Sequence, residues 1–259
     1  SIDCMVTRNP DITKLDEFPA LVESVDRNLQ YWLDHRRITD SPIPWYKHGN
    51  DSGWDNASHF SAGMPVQSPD LAAHLIRASH LLATHYEKHG NTERATHLRR
   101  TADELLDALL TELYDEHGFF ARSLDGQPLP RTSLLLRYPI LIADLLPEAA
   151  LNQILDDLRN TYLVPAGLTT EDPSSDLFNP DGYWLGPVWA PSTYLIYDAL
   201  RQHGEHELAD AVGENFLLAC QTGGMAENFN PHIRESQSDP AFAWTSSVYL
   251  LIAEDLQER

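Results

Sequence analysis

Two acidic residues lie in loops that also carry aromatic and amide side chains. Asp55 falls in 50-NDSGWDNAS-58, and Glu227 lies near the start of 226-AENFNPHIRESQSDPAFAWTS-246. Aromatic rings stack against the apolar face of a sugar, amides and carboxylates bind its hydroxyls, and two carboxyl groups can cleave a glycosidic bond. These residue types therefore predict a carbohydrate site. For the first segment alone, an Asx turn around a buried tryptophan explains the pattern equally well.

Tryptophan is concentrated in the same two segments and in a third, 181-DGYWLGPVWAPSTYLIYDAL-200. Of the six tryptophans, those in or beside the three loops are Trp45, Trp54, Trp184, Trp189 and Trp244. Core tryptophans would more naturally lie on helix faces, so this concentration in loops favours a ligand. Burial of Trp184 and Trp189 in the core is the alternative, although Pro187 between them favours a fixed loop.

Other acidic residues near these loops have simpler explanations. Asp51 precedes Asp55 by four positions, and we expect it to cap the turn or to bind a hydroxyl. Glu235 and Asp239 follow Glu227 and are expected to be solvated. The distance in sequence between Asp55 and Glu227 means that spacing alone does not place them together.

Composition argues against several classes of function. The formal net charge of −21, from 39 acidic and 18 basic residues, would repel nucleic acid and anionic lipid. No apolar run reaches the ~18 residues of a membrane span, and the first residues lack the order of a signal peptide. Cys4 and Cys220 are too few for a disulfide framework, so free thiols and a reducing, cytoplasmic location are predicted, with one bridge left open.

Neither a cofactor nor a metal site is predicted. The 12 histidines include His74 and His80 on one predicted helix, with His85 and His89 one turn apart further along it. No His-Glu-x-x-His motif or Cys/His cluster accompanies them, so we interpret them as exposed helical residues. A glycine-rich phosphate loop and a nucleophile elbow are also missing from the sequence, which leaves phosphoryl transfer and serine hydrolysis without support.

Hydrophobic periodicity predicts a helical chain. Apolar residues at three- and four-residue spacing from Leu15 to Leu33 describe one face of an amphipathic helix. Ser68-Pro69-Asp70 is a helix start, and Gly90 is a stop. Roughly eight helices result, near residues 15–33, 69–89, 91–114, 132–145, 147–160, 192–202, 205–220 and 241–257. Residues 118–122 are predicted to form a strand or a hairpin arm.

The long loops alternate with pairs of helices, and no linker or shift in composition divides the chain. Long loops without structure of their own are unusual in compact domains and tend to be functional. We therefore predict one all-α domain over residues 1–259. Its layout is that of an α/α toroid, in which the long loops gather at one end of the helices.

The three loops resemble the signature segments of glycoside hydrolase family 63, and more distantly those of the trehalases. The segment 53-GWDN-56 is similar to the motif that carries the general acid of these enzymes. The segment 183-YWLGPVW-189 matches the Tyr-Trp-x-Gly-Pro-x-Trp motif that lines their sugar pocket. The general base lies in a Glu-x-Tyr-Asn-Pro motif, matched by 227-ENFNP-231 with Phe in place of Tyr. A later Gln and Trp recur as Gln237 and Trp244.

The resemblance implies a role for each matched residue. Asp55 is implied as the general acid and Glu227 as the general base, and burial against Trp54 would favour the protonated form of the acid. The residues implied to bind substrate are Trp54, Asn56, Tyr183, Trp184, Gly186, Trp189, Gln237 and Trp244. The implied reaction is hydrolysis, with inversion, of an α-linked glucoside or mannoside of a small molecule, such as a disaccharide or a glycosyl-glycerate.

The family fold is an (α/α)6 barrel, and the resemblance covers roughly residues 40–258. With about eight helices predicted, the N-terminal helices of the barrel are expected to be missing, so that a second chain or a further segment would complete it. Two alternatives to a hydrolase remain open. One is a non-catalytic sugar-binding or subunit-forming α/α module, and the other is a phosphorylase, epimerase or lyase on the same toroid.

Overall fold

The structure, a computed structural model, describes residues 6–257. Its contacts define two compact units. The first unit contains Ser1–Trp45 and Leu71–Glu112, and the second contains Tyr46–Asp70 and Leu113–Arg259. The single domain over residues 1–259 stays a prediction.

Helices form most of the described chain. The α-helices with complete bounds are α1 (Phe18–His35), α2 (Pro69–Lys88), α3 (Thr92–Glu112), α4 (Glu148–Asp157), α5 (Ala190–His203), α6 (His206–Gly223) and α7 (Ala243–Gln257). They lie where the sequence predicts them. The segment predicted at 132–145 is a 3-10 helix, Leu134–Leu145, with a kink at Ile142. Pro139 inside it lacks the N–H that a regular α-helix would use.

The carboxylate of Asp26 on α1 binds side chains of two other helices in the first unit. Asp26 on α1 accepts hydrogen bonds from the Tyr86 hydroxyl of α2 (2.8 Å) and from Arg94 Nε of α3 (3.1 Å). Val22 and Leu29 are buried on the same helix as Asp26. Apolar contacts do not depend on orientation, whereas hydrogen bonds to a carboxylate do. The contacts of Asp26 therefore fix how the three helices are oriented relative to one another.

Helices α5, α6 and α7 pack against one another in the second unit. Ile196, Phe216 and Ile252, one from each helix, are fully buried. Gly204 ends α5 with φ +86°, a left-handed conformation that glycine adopts without steric cost, and α6 begins two residues later.

The strands are two-residue segments of the second unit. They are β1 (Val66–Gln67), β2 (Tyr114–Asp115), β3 (Gly118–Phe119), β4 (Arg122–Ser123), β5 (Leu163–Val164), β6 (Gly167–Leu168), β7 (Val188–Trp189), β8 (Asn228–Phe229) and β9 (Ser236–Gln237). Strands β2 and β3 form an antiparallel hairpin, which confirms a hairpin arm at Gly118–Phe119, whereas Arg122 belongs to β4 and pairs with β1. Strands β7, β8 and β9 form one antiparallel sheet, which joins residues 181–189 (the Tyr-Trp loop) to the loop of Glu227.

Cys220 is a buried free thiol, and burial raises its pKa to about 12. Cys4 lies outside the described residues. Within residues 6–257, no helix has the length and apolar character needed to cross a membrane. The same residues contain no group of three or more His, Cys, Asp or Glu side chains arranged to hold a metal ion. The cytoplasmic location stays a prediction.

Candidate active site

The loop that carries Asp55 is built from tight turns. Asp51 Oδ2 accepts hydrogen bonds from the backbone N–H groups of Lys47 (2.8 Å) and His48 (3.1 Å), so Asp51 caps the turn as expected. Gly49 packs directly on Asp55, because a Cβ atom at Gly49 would lie 2.2 Å from the Asp55 carbonyl oxygen. Asp55 is exposed, so the expectation that it is buried against Trp54 is wrong.

Three indole rings form a continuous stack beside this loop. The ring centroids of Trp54 and Trp184 are 4.5 Å apart at an interplanar angle of 23°, and those of Trp184 and Trp189 are 3.9 Å apart at 10°. Since two rings cannot stack on the same face, both faces of Trp184 are covered. A sugar therefore finds no free face on Trp184, and the prediction that its ring holds substrate is not supported by this geometry. The alternative interpretation of Trp184 and Trp189 as core residues agrees with their burial.

Tyr183 and Trp244 are the predicted aromatic residues that keep free surface, with 37% of each exposed. Both make edge contacts with Trp189, at ring centroid distances of 4.7 Å and 5.8 Å. The buried stack thus supports two exposed rings, and these rings are the ones able to contact a ligand.

Asn56 ties the Asp55 loop to the Tyr-Trp loop. Its Nδ2 donates a hydrogen bond to the carbonyl oxygen of Gly182 (2.9 Å), and its Oδ1 accepts one from the backbone N–H of Trp184 (3.0 Å). Both ends of the amide are therefore used within the protein. The assignment of Asn56 to substrate binding stays a prediction, and the structure shows its amide bound to the neighbouring loop.

Glu227 is half-buried and directly precedes β8. Its Oε1 accepts a hydrogen bond from the Tyr183 hydroxyl (3.1 Å), and its backbone N–H donates to the carbonyl oxygen of Asp239 (2.7 Å). The backbone N–H of Asp239 points back to Glu227 Oε2 at 3.4 Å. Asp239 and Glu235 are exposed as expected, but the sequence did not indicate that the backbone of Asp239 holds Glu227.

Gln237 also links the Tyr-Trp loop to the loop of Glu227. Its Nε2 donates hydrogen bonds to the carbonyl oxygen of Pro180 (2.9 Å) and to the carboxylate of Asp181. Its backbone pairs with Asn228 across the β8–β9 ladder. The assignment of Gln237 to substrate binding stays a prediction, since its amide N–H groups already bind the protein.

The charges of both candidate catalytic carboxyl groups affect the hydroxyl of Tyr183. Partial burial raises the pKa of Tyr183, and the hydrogen bond to Glu227, the charge of Glu227 and the charge of Asp55 raise it further. A phenolate is disfavoured next to a carboxylate, so each negative charge favours the neutral hydroxyl. Asp55 and Glu227, which are 172 positions apart (227 minus 55), therefore act on one side chain.

The raised pKa of Tyr183 can be measured. We expect Glu227→Gln to lower it the most, because that change removes a charge in direct contact, and Asp55→Asn to lower it less. Nuclear magnetic resonance of tyrosine labelled at Cζ would follow the titration, with the signal assigned by its loss in Tyr183→Phe. A Tyr183 pKa that neither variant changes would show that the carboxyl groups do not act on this hydroxyl.

Two threonines, Thr169 and Thr170, bind the backbone of the Tyr-Trp loop. The sequence did not indicate either of them. Thr170 Oγ1 accepts a hydrogen bond from the Gly186 N–H (3.0 Å) and donates one to the Pro187 carbonyl oxygen (3.1 Å). Thr169 Oγ1 donates to the Gly186 carbonyl oxygen. Both polar backbone groups of Gly186 are thus used within the protein, so a backbone contact of Gly186 with substrate is not supported.

Thr170→Val is expected to destabilise the second unit by about 1–3 kcal/mol, since it leaves the buried N–H of Gly186 without its acceptor. The side chains have the same shape, so packing changes little. Thr222→Val, at an exposed threonine of α6, is the matched control and should be close to neutral. Denaturant unfolding of the two variants measures the difference, and equal stabilities would contradict the assigned role of Thr170.

Glu171, next in the chain, is a second feature that the sequence did not predict. Its side chain is fully buried, and its Oε2 accepts a hydrogen bond from Ser58 Oγ (2.7 Å), three residues after Asp55. Burial raises the pKa of this carboxyl group. The run Thr169-Thr170-Glu171 has neither helical nor strand periodicity. Its position in a long loop was therefore the only feature of the sequence that could have indicated it.

A family model described as a mannosylglycerate hydrolase MGH1-like glycoside hydrolase domain matches residues 6–245. The chain belongs to this family. The match includes the loops of Asp55, Tyr183 and Glu227 up to the first turn of α7. It confirms the resemblance to glycoside hydrolase family 63 that the three motifs predicted.

Individual relatives of the MGH1-like domain agree with this assignment. The mannosylglycerate hydrolase of a Thermus thermophilus strain is 28% identical over 89 residues, which cover 34% of this chain and 20% of that protein. The periplasmic trehalase of Xanthomonas axonopodis pv. citri is 25% identical over 261 residues, covering 85% of this chain and 43% of the trehalase. The chain therefore spans less than half the length of these curated relatives.

A solved structure shows the fold. The family 63 mannosylglycerate hydrolase from a second Thermus thermophilus strain, in complex with Tris and D-glycerate, superposes with a TM-score of 0.76 at 16% identity. The superposition covers 92% of this chain and 73% of that one. The likeness confirms the predicted helical, toroid-type glycosidase fold. The roles of individual residues in the MGH1-like domain stay predictions.

Proposed function

We propose that this MGH1-like domain hydrolyses an α-linked glucoside or mannoside of a small molecule, with inversion at the anomeric carbon. The observation that supports this most directly is the hydrogen bond from the Tyr183 hydroxyl to Glu227, together with the rise in the pKa of Tyr183 that the charges of Glu227 and Asp55 cause. Two carboxyl groups beside exposed aromatic rings are the groups that glycoside hydrolysis requires. The names of the relatives, mannosylglycerate hydrolase and trehalase, are those of enzymes that hydrolyse small glycosides.

In this reaction Asp55 protonates the glycosidic oxygen while Glu227 removes a proton from the attacking water. The water reaches the anomeric carbon from the face opposite the leaving group, so the product has the inverted configuration. The hydrogen bond from the Tyr183 hydroxyl to Glu227 Oε1 orients the carboxylate of the base. Asp55 is exposed, so its carboxyl group is accessible to the glycosidic oxygen of a bound substrate.

The two exposed rings suit the substrate class. Tyr183 and Trp244 both contact Trp189 edge-on and present apolar surface of the kind that packs on a pyranose. Arg234, in the same loop as Glu227, donates a hydrogen bond to the carbonyl oxygen of Pro165 (2.8 Å), so its side chain is held within the protein.

The test is an assay for free sugar. The protein would be incubated with mannosylglycerate, glucosylglycerate and trehalose, with and without inorganic phosphate. Release of free hexose from at least one of these substrates, unaffected by phosphate, is the expected result. A sugar phosphate formed only with phosphate present would indicate phosphorolysis. Saturable sugar binding without any release, unchanged in Asp55→Asn and Glu227→Gln, would favour a non-catalytic sugar-binding module.

A further inference from the structure

Three hydrogen bonds hold the backbone around Tyr183. The Asn56 side chain binds the Gly182 carbonyl oxygen on one side of Tyr183 and the Trp184 N–H on the other. The indole N–H of Trp189 donates to the carbonyl oxygen of Tyr183 itself (2.9 Å). One amide side chain therefore spans the two peptide groups that flank Tyr183, and a buried indole adds the third bond.

The backbone held in this way is an unusual one. Tyr183 has φ +65°, in the left-handed region that residues with a Cβ atom seldom occupy. Such a conformation persists when its surroundings determine it from several directions, and it is concentrated at functional sites. From this conformation the Tyr183 hydroxyl reaches Glu227 Oε1.

We propose that Asn56 is a positioning residue for the general base, acting through Tyr183. Its amide holds Tyr183 in the left-handed conformation, and Tyr183 in turn orients the carboxylate of Glu227. Asn56 directly follows Asp55, so the chain of contacts Asn56–Tyr183–Glu227 links the loop of the acid to the base. The catalytic meaning of the link rests on the proposed function, whereas the link itself does not.

The first experiment therefore requires no activity. It compares the titration of Cζ-labelled Tyr183 in the unmodified protein, in Asn56→Ala and in Asn50→Ala, a matched change at an exposed asparagine of the same loop. Asn56→Ala should lower the pKa of Tyr183, although it removes no charge, because the hydroxyl loses its place beside Glu227. Asn50→Ala should leave it unchanged. A Tyr183 pKa that is the same in all three proteins overturns the proposal.

A second variant tests the same link in case Asn56→Ala does not fold. Asn56→Ser keeps a polar residue in the turn, but its hydroxyl is too short to bind both Gly182 and Trp184. It should lower the Tyr183 pKa as Asn56→Ala does, while circular dichroism stays that of the unmodified protein. If Asn56→Ser folds and the pKa of Tyr183 does not change, the proposed link is contradicted, whatever Asn56→Ala shows.

The kinetic experiment separates this link from the proposed function. If the domain hydrolyses a glycoside, Asn56→Ala and Tyr183→Phe should each lower kcat about tenfold with a smaller change in KM. The double variant should lose about as much as either single one, because both changes break the same chain of contacts. Additive losses overturn the proposal. An unmodified protein without hydrolase activity refutes the proposed function but leaves the titration result standing.

Discussion

Glu227→Gln is expected to abolish hydrolysis of every glycoside substrate, with a loss of about 10³-fold or more in kcat/KM. Glutamine has the shape of glutamate and can still accept a hydrogen bond from Tyr183, but it cannot take a proton from the attacking water. In an inverting reaction the water attacks in the single chemical step, so a better leaving group does not compensate for the missing base. The loss should therefore be the same for natural and for activated substrates.

The matched control for the base is Glu235→Gln, an exposed glutamate of the same loop. Steady-state assays of the two variants on a natural glycoside and on a glycosyl fluoride give the comparison. Glu235→Gln should keep the activity of the unmodified protein. Full activity of Glu227→Gln on either substrate would show that another group is the base.

Asp55→Asn is expected to fail in a different way. A poor leaving group needs a proton as the glycosidic bond breaks, so hydrolysis of a natural glycoside should fall by about 10²- to 10⁴-fold. Fluoride needs little protonation to depart. Hydrolysis of the corresponding glycosyl fluoride should therefore stay within about tenfold of the unmodified protein. This dependence on the leaving group distinguishes a general acid from a residue that only binds substrate.

Asp176→Asn, at an exposed aspartate of the loop that precedes Tyr183, controls for the loss of one negative charge from the second unit. It should leave hydrolysis of both substrates unchanged. Equal losses of Asp55→Asn on the natural glycoside and on the fluoride would refute its role as the acid. They would instead assign Asp55 to binding or to the structure of its loop.

The sequence predicted the parts of the structure that depend on local pattern. The helices followed from apolar spacing, and the hairpin arm at Gly118–Phe119 followed from a short, isolated run of residues. Asp51 as a turn cap followed from its position before Gly53-Trp54. The loops of Asp55 and Glu227 were recognised because acidic, amide and aromatic residues are unusual together in a turn. Pro139 set the limit of this approach, since the segment around it is a 3-10 helix.

The remaining features depend on contacts between distant segments. No local pattern reveals that Trp54 and Trp189 cover both faces of Trp184, or that Asn56 reaches Gly182 and Trp184 rather than a sugar. The same is true of Glu171, whose partner Ser58 is 113 positions away. Amide and aromatic side chains suit a ligand and a neighbouring loop equally well, so the residue type alone could not separate binding from support.

The configuration of the first-formed sugar tests the central claim most directly. An inverting site places its two carboxyl groups about 6.5 to 9.5 Å apart to leave room for a water, whereas a retaining pair stands about 5 to 5.5 Å apart. Proton nuclear magnetic resonance, recorded before the free sugar mutarotates, reports the anomer that the enzyme releases from an α-glycoside. Asp55 as acid and Glu227 as base predict the β-anomer. An α-anomer released first, or a covalent glycosyl adduct on Glu227, would contradict this assignment.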